Sequence, residues 1–269
     1  MTPLFNIHPV LKNFSMPFTL SHAILAAPIS KLTANTLPIA ALAIGCMVPD
    51  LIRLFSQDSG QQTHLWHSMI QPNLWIGLGF CALWYFIYRP VIYRFLGIQD
   101  ALKLLTFYDT VKFLLGVIVA VLIGTATHLI WDGLTHADFR TFAFKETLSQ
   151  NVHLFGQVYP LHRILQIGSS ILALPFLIWM SIHYYLKHQQ HLAVQNRIKK
   201  IAFSLVLLSV LMGCFSVWDY ARYFSVEVWH SDLYFFIGKS INEFSQGALS
   251  VFTFGCLIFL FLDRHQRLG

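Results

Sequence analysis

Five stretches of this chain are apolar over about the length a helix needs to cross a bilayer, roughly 20 residues for about 30 Å of hydrocarbon. They cover residues 74–89, 111–131, 164–186, 201–218 and 248–262. Ahead of them, two shorter apolar segments, 20–32 and 37–54, are separated by Thr33, Ala34, Asn35 and Thr36. That pattern predicts a helical hairpin whose first arm is too short to span. The 269 residues are 56% hydrophobic and 11% charged, with a mean hydropathy of +0.59. One water-soluble core cannot bury so much apolar surface, so lipid is the predicted solvent for most of the chain. The expected fold is all-α: a polytopic membrane helical bundle of about five full spans plus the amino-terminal hairpin.

Residues 1–15 carry only Lys12 as a charged group and lack the apolar run of a secretory signal. They are expected to be a tail, or to precede the true start at Met16. Residues 16–170 are read as the helical membrane domain that carries the site, and 171–269 as the remaining spans with an aromatic outer loop. Cys46, Cys81, Cys214 and Cys256 all fall inside apolar stretches and form no C-x-x-C pair, so they read as packing residues. The formal net charge of +6 is dispersed among the flanks of the spans rather than gathered in a stripe, which argues against a nucleic-acid partner. Membrane lipids are the expected surroundings. No internal repeat, Gly-rich phosphate loop or G-x-S-x-G elbow is visible, which removes nucleotide-binding and serine-hydrolase readings.

Lysine and arginine favour the cytoplasmic side of a membrane protein. If the connection after Arg89 is inside, eleven of these residues lie inside, led by Arg89, Arg94, Arg197, Lys199 and Lys200. The other side then holds six: Arg53, Arg140, Lys145, Arg163, Arg222 and Lys239. The predicted location is therefore an inner (cytoplasmic) membrane, with the carboxyl terminus in the cytoplasm.

This orientation gathers one set of polar residues on the outer side. His22 begins the first arm of the hairpin and Asp50 ends the second, so antiparallel arms bring them level. His64 follows in the next loop, and His67, three residues on, is an alternative to it. On a continuing helix, His128, Asp132 and His136 recur at i, i+4 and i+8 and project from one face, a geometry suited to a cation. Imidazole nitrogen with carboxylate oxygen suits zinc, with manganese or iron less preferred. Lone histidines at span ends, His8, His183, His188, His191, His230 and His265, read as interfacial residues.

The blocks Met16-Pro-Phe-Thr-Leu-Ser-His22, Ile44-Gly-Cys-Met-Val-Pro-Asp50, Thr63-His64, His128-x-x-Trp-Asp132-x-x-Thr-His136 and Tyr159-Pro-Leu-His-Arg-Ile-Leu-Gln166-Ile-Gly-Ser-Ser170 occur in that order. In them the chain resembles an uncharacterised bacterial integral membrane family, itself similar to membrane-bound metal-dependent hydrolases distantly like zinc-dependent phospholipase C. The resemblance implies a ligand order of His22, Asp50, His64, His128 with Asp132, and His136, holding one or two zinc ions. It departs from those soluble enzymes at His162-x-x-x-Gln166, where they have His-x-x-x-Glu, and in offering no processed amino terminus as a ligand. Glutamine is a neutral and poor zinc ligand, so Gln166 either marks a lost metal position or makes hydrogen bonds.

Two functions follow as expectations. The first is a metal-dependent hydrolase acting on a lipid or lipid-linked phosphoester at the outer face. In it Asp50 and Asp132 carry the chemistry, Asp50 bridges metals or orients water, and Arg140, Arg163, Lys145, His162 and Gln166 are candidate substrate contacts. The alternative is a non-enzymatic transporter, assembly factor or metal-binding regulator. A transport path calls for ionisable groups in mid-membrane, and the spans beginning at 74, 164, 201 and 248 have none at their centres. The aromatic outer loop, 219–243, is read as an interfacial belt, or as a lid to which Glu227, His230, Asp232 or Glu243 lends a polar group.

Overall fold

A computed structural model describes residues 19–55, 60–154, 156–190, 193–231 and 233–264. The tail 1–15, with His8 and Lys12, lies outside the described residues, as do His191, Asp232, His265 and the side chain of His230.

The chain enters through a 3-10 helix, Thr19–Leu25, that runs into α1 (Ala26–Leu32). Ala34 and Asn35 take positive φ, and the hydroxyl of Ser30 donates to the Leu37 carbonyl at 2.7 Å, so the chain reverses into α2 (Ile39–Leu51). The predicted hairpin is present. After α3 (Gly60–Thr63), a crossing built from short helical pieces includes α4 (Trp75–Leu83) and α5 (Arg89–Leu96) and stops at Gly97, a left-handed residue with φ 64°. The next helix, α6 (Phe107–Thr135), starts at a capping box in which Thr106 and Asp109 exchange side-chain and backbone hydrogen bonds. Then come α7 (Lys145–Leu148), the hairpin β1 (Asn151–Leu154) with β2 (Gln157–Pro160), and α8 (Leu161–His188). The last elements are α9 (Asn196–Ala221), α10 (Val226–Ser231) and α11 (Leu233–Arg264).

Five helical stretches among the described residues are long and apolar enough to cross a membrane: Trp66–Leu96, Phe107–Thr135, Leu161–His188, Asn196–Ala221 and Phe235–Arg264. The fold is the expected all-α polytopic bundle, and every span outruns its apolar stretch because aromatic and polar flanks continue the helix. The region expected to be an aromatic loop up to residue 243 is corrected in its second half. There α11 has already begun, and Lys239 pairs with Glu243 at 3.2 Å one turn apart. Tertiary packing explains the early start, since buried Phe236 rests against Phe224 and Trp229 with ring centroids 5.2 and 5.0 Å away.

Two contact systems order the bundle. Hairpin and α6 share a core that includes Leu37, Ala41, Leu42, Val48, Val117, Ala120 and Val121, while Val91 of α5 packs with Leu205 of α9 and Phe259 of α11. At the end opposite the candidate site, Gln99 donates to the His188 carbonyl at 2.8 Å and Tyr184 donates to Asp100 Oδ2 at 2.6 Å, tying α8 to the connection between α5 and α6. The ends of α2 and α6 and the starts of α8 and α11 meet at the other end.

Candidate metal centre

Helices α2 and α6 lie side by side, pointing the same way, close enough for backbones to touch. A Cβ at Gly45 would stand 2.6 Å from the Val121 carbonyl oxygen, and one at Gly124 would stand 2.5 Å from that of Leu42. Pro49 has no N–H, so it cannot bond the carbonyl of Gly45 one turn earlier. That oxygen instead accepts from the Thr125 hydroxyl at 3.3 Å. Close approach also puts His128 Nδ1 2.8 Å from the Cys46 carbonyl. Facing a carbonyl, Nδ1 can only donate, which fixes the tautomer and leaves a lone pair on Nε2.

Around that lone pair the other donors gather. His128 Nε2 is 3.3 Å from His64 Nε2 and 3.5 Å from Asp132 Oδ2, and His64 Nε2 is 3.5 Å from the same oxygen. Four ligands held tetrahedrally at about 2.1 Å from one ion stand about 3.4 Å apart, so the edges of this triangle are those a tetrahedral metal ion would need. Asp50 Oδ1, 3.3 Å from His64 Nε2, extends it towards a fourth corner. The His22 ring stacks on His128 with centroids 4.1 Å apart and has its Nε2 3.9 Å from Asp132 Oδ1. Two sets of three, His22 with Asp50 and His128, and His64 with His128 and Asp132, each offer ligand atoms within 4.8 Å of one another. Both need His128, whose single available lone pair serves one ion at a time.

The chemistry of these atoms fits a cation. His64 Nδ1 lies 3.4 Å from Thr63 Oγ1, whose proton goes to the Pro49 carbonyl at 2.7 Å, so Nδ1 is the donor and Nε2 carries the lone pair. With both rings neutral and protonated at Nδ1, the state a cation selects, the two Nε2 lone pairs face each other across 3.3 Å. Asp50 Oδ1 and Asp132 Oδ1 are buried without a hydrogen bond of good geometry despite their charged neighbours, and His136 Nε2 has none either. Each such atom costs about 1–3 kcal/mol unless something else satisfies it. Burial lowers the pKa of His64, and lowers that of His136 to about 4, which keeps both rings neutral near pH 7.

His136 departs from the expected helical spacing. The helix stops at Thr135, and His136 is extended, with φ −110° and ψ 157°. Its N–H still bonds the Asp132 carbonyl at 2.9 Å, and its Nδ1 faces the same oxygen at 3.2 Å, but it belongs to neither set of three. The open choice in the preceding loop is resolved by burial: His64 is inside the cluster and His67 is exposed.

Arg140, expected among the substrate contacts, has its side chain buried against carboxylates. Its Nη1 is 3.1 Å from Asp132 Oδ2, and its Nε is 3.0 Å from Asp138 Oδ1. Burial alone would raise the Asp138 pKa, and the Arg140 guanidinium overcomes that and holds it below the usual range. Gln166, buried, donates from Nε2 to the Thr135 carbonyl at 2.9 Å, so it braces the end of α6. His162 is half-buried with Nδ1 3.2 Å from the Leu148 carbonyl; Arg163 is half-buried beside it, and Lys145 is exposed. Glu227 is exposed, and Glu243 is engaged by Lys239.

Sequence reasoning missed Arg53 and Thr19. Arg53 Nη1 lies 3.1 Å from Asp50 Oδ1, and the Thr19 hydroxyl donates to Asp50 Oδ2 at 2.9 Å. The i+3 spacing of Arg53 after an aspartate at a helix end was the available signal. The Arg53 carbonyl in turn accepts from Asn242 Nδ2 of α11 at 2.9 Å, which links the second half of the chain to the cluster.

Neither a curated protein nor a solved structure matches the chain. One family profile matches residues 16–262, which takes in the hairpin, the cluster, four of the candidate spans and all but the last two residues of the fifth. The chain therefore belongs to the family described as a domain of unknown function, DUF4184.

Proposed function

We propose that this chain is a membrane-bound, metal-dependent hydrolase of a lipid or lipid-linked phosphoester, with one zinc ion as its principal cofactor held by His64, His128 and Asp132, and with Asp50 beside them. The observation that carries the reading is the buried triangle of 3.3, 3.5 and 3.5 Å between His64 Nε2, His128 Nε2 and Asp132 Oδ2. Its site faces the outside of an inner membrane, on the lysine and arginine asymmetry of the connections. His128 lies seven residues before the end of α6, about 10 Å along the axis, a depth from which an amphiphile can be received laterally.

A divalent ion at this position supplies Lewis acidity and lowers the pKa of water towards neutrality. The residues of the chain do the rest. Cys46 holds the His128 tautomer. Asp50, kept in place by Thr19 and Arg53, orients the attacking water, accepts its proton and returns it to the departing oxygen as the ester P–O bond breaks. Arg140, held by Asp132 and Asp138, puts positive charge and its remaining N–H donors beside the phosphoryl group.

Burial favours a second reading, a metal-binding protein without turnover, because the donor residues are only 0–7% exposed. One preparation tests both. Detergent-purified protein is expected to carry about one equivalent of zinc by elemental analysis and to release phosphate or headgroup from a phospholipid panel. Asp50→Asn should lower turnover far more than metal content. Zinc at full stoichiometry with no turnover on any phosphoester selects the second reading, and absence of bound metal rejects both.

A further inference from the structure

Two arginines are buried against this cluster, and their charges set what can enter with a metal. Arg53, with its side chain 12% exposed, leans on Asp50, and Arg140, with its side chain 4% exposed, leans on Asp132, each through Nη1 at 3.1 Å. The two carboxylates both reach His64 Nε2, at 3.3 and 3.5 Å, so the guanidiniums flank a single imidazole. As ligands the imidazoles are neutral. Two carboxylates and two guanidiniums balance, and Asp138, paired with the same Arg140 at the rim, leaves the cluster one negative charge in excess before any ion is added.

A divalent ion at the triangle turns that into a surplus of positive charge where little water can screen it. Arginine cannot relieve this by losing a proton. The ion also draws on the carboxylate lone pairs that the guanidiniums use, and Arg53 Nε already has no hydrogen-bond partner. The backbone that carries Arg53 is tied to α11, where Asn242 donates to its carbonyl at 2.9 Å. What offsets that charge, and takes up the N–H donors the carboxylates leave over, is an oxyanion of the phosphate type.

We propose that the cluster binds its divalent ion and a phosphate-type oxyanion as a coupled pair, with Arg53 and Arg140 as the anion-holding residues that make each ligand raise the affinity of the other. The proposal rests on the metal-site reading above and adds a linkage that a plain His/Asp site lacks.

The test is a zinc titration of full-length, metal-stripped protein in detergent, in a zinc–chelator buffer. It is run alone, with inorganic phosphate, and with phosphatidate in the micelles. Either phosphate source is expected to tighten zinc binding about tenfold or more, and zinc to tighten phosphate binding by the same factor, as linkage requires. Coupling with inorganic phosphate identifies a free anion, and coupling with phosphatidate alone identifies a lipid headgroup. Arg53→Gln and Arg140→Gln each remove one positive charge, so both should bind zinc alone more tightly than the wild type while losing coupling. Arg53→Lys and Arg140→Lys, which keep the charge, should retain part of it. An arginine with a merely structural role would instead lower zinc affinity and leave the coupling unchanged. Wild-type zinc binding that is equal with and without both phosphate sources overturns the linkage while the metal site stands. No zinc binding by the wild type overturns both. The wild-type comparison decides even if a glutamine variant fails to fold.

Discussion

His128 donates from Nδ1 to the carbonyl of Cys46 across 2.8 Å, so the ligand state of a histidine on α6 is set by the backbone of α2. This contact exists because the helices pack glycine to backbone at Gly45 and Gly124. In Gly124→Ala the new methyl would lie 2.5 Å from the Leu42 carbonyl oxygen, and the helices must separate. The expected cost is about 1–3 kcal/mol of stability and a weaker hold on zinc by roughly 10–100-fold, the range for a lost partner of a metal-bound histidine. Thermal unfolding in detergent and chelator competition measure the two; unchanged zinc affinity would show that the helix contact does not tune the site.

The geometry separates the histidines. Asp132→Ala and His128→Ala should lose most of the bound zinc while still inserting, whereas His136→Ala, which removes a residue outside both ligand sets, should keep a near wild-type stoichiometry. His67→Ala should be silent in the same elemental analysis. Equal loss in the His136 and His128 variants would mean that the extended residue after α6 swings into the site when metal binds.

Restoring the glutamate of the soluble phospholipase pattern should harm this protein. In Gln166→Glu the donor to the Thr135 carbonyl disappears and a carboxylate faces a buried carbonyl oxygen. A loss of about 1–3 kcal/mol is expected, with no added zinc. A stable variant that binds an additional equivalent would show that position 166 is a vacated metal ligand.

Reporter fusions check the orientation. Fusions at the carboxyl terminus and after Leu186 should report cytoplasm, and fusions between Asp138 and Val158 should report the outside. The reverse pattern would turn the site towards cytoplasmic substrates.

Span count and the hairpin were legible in the sequence because apolar length is a one-dimensional property: a run of about 20 residues meets the thickness of a bilayer wherever its neighbours lie. The grouping of His22, Asp50, His64, His128 and Asp132 was legible for a similar reason, since alternating crossings return those positions to one end of the bundle. Tertiary structure decided what spacing cannot express. His136 leaves the i+8 position because α6 ends one residue earlier. His64 rather than His67 turns inward because Thr63 bonds the Pro49 carbonyl and Asn73 bonds that of Thr63 at 2.7 Å, which fixes the loop. Arg140 is buried on Asp132, and Arg53 joins the site from a helix end held by α11. A buried charge must find its partner in three dimensions, and those partners lie on elements whose packing no local pattern along the chain specifies.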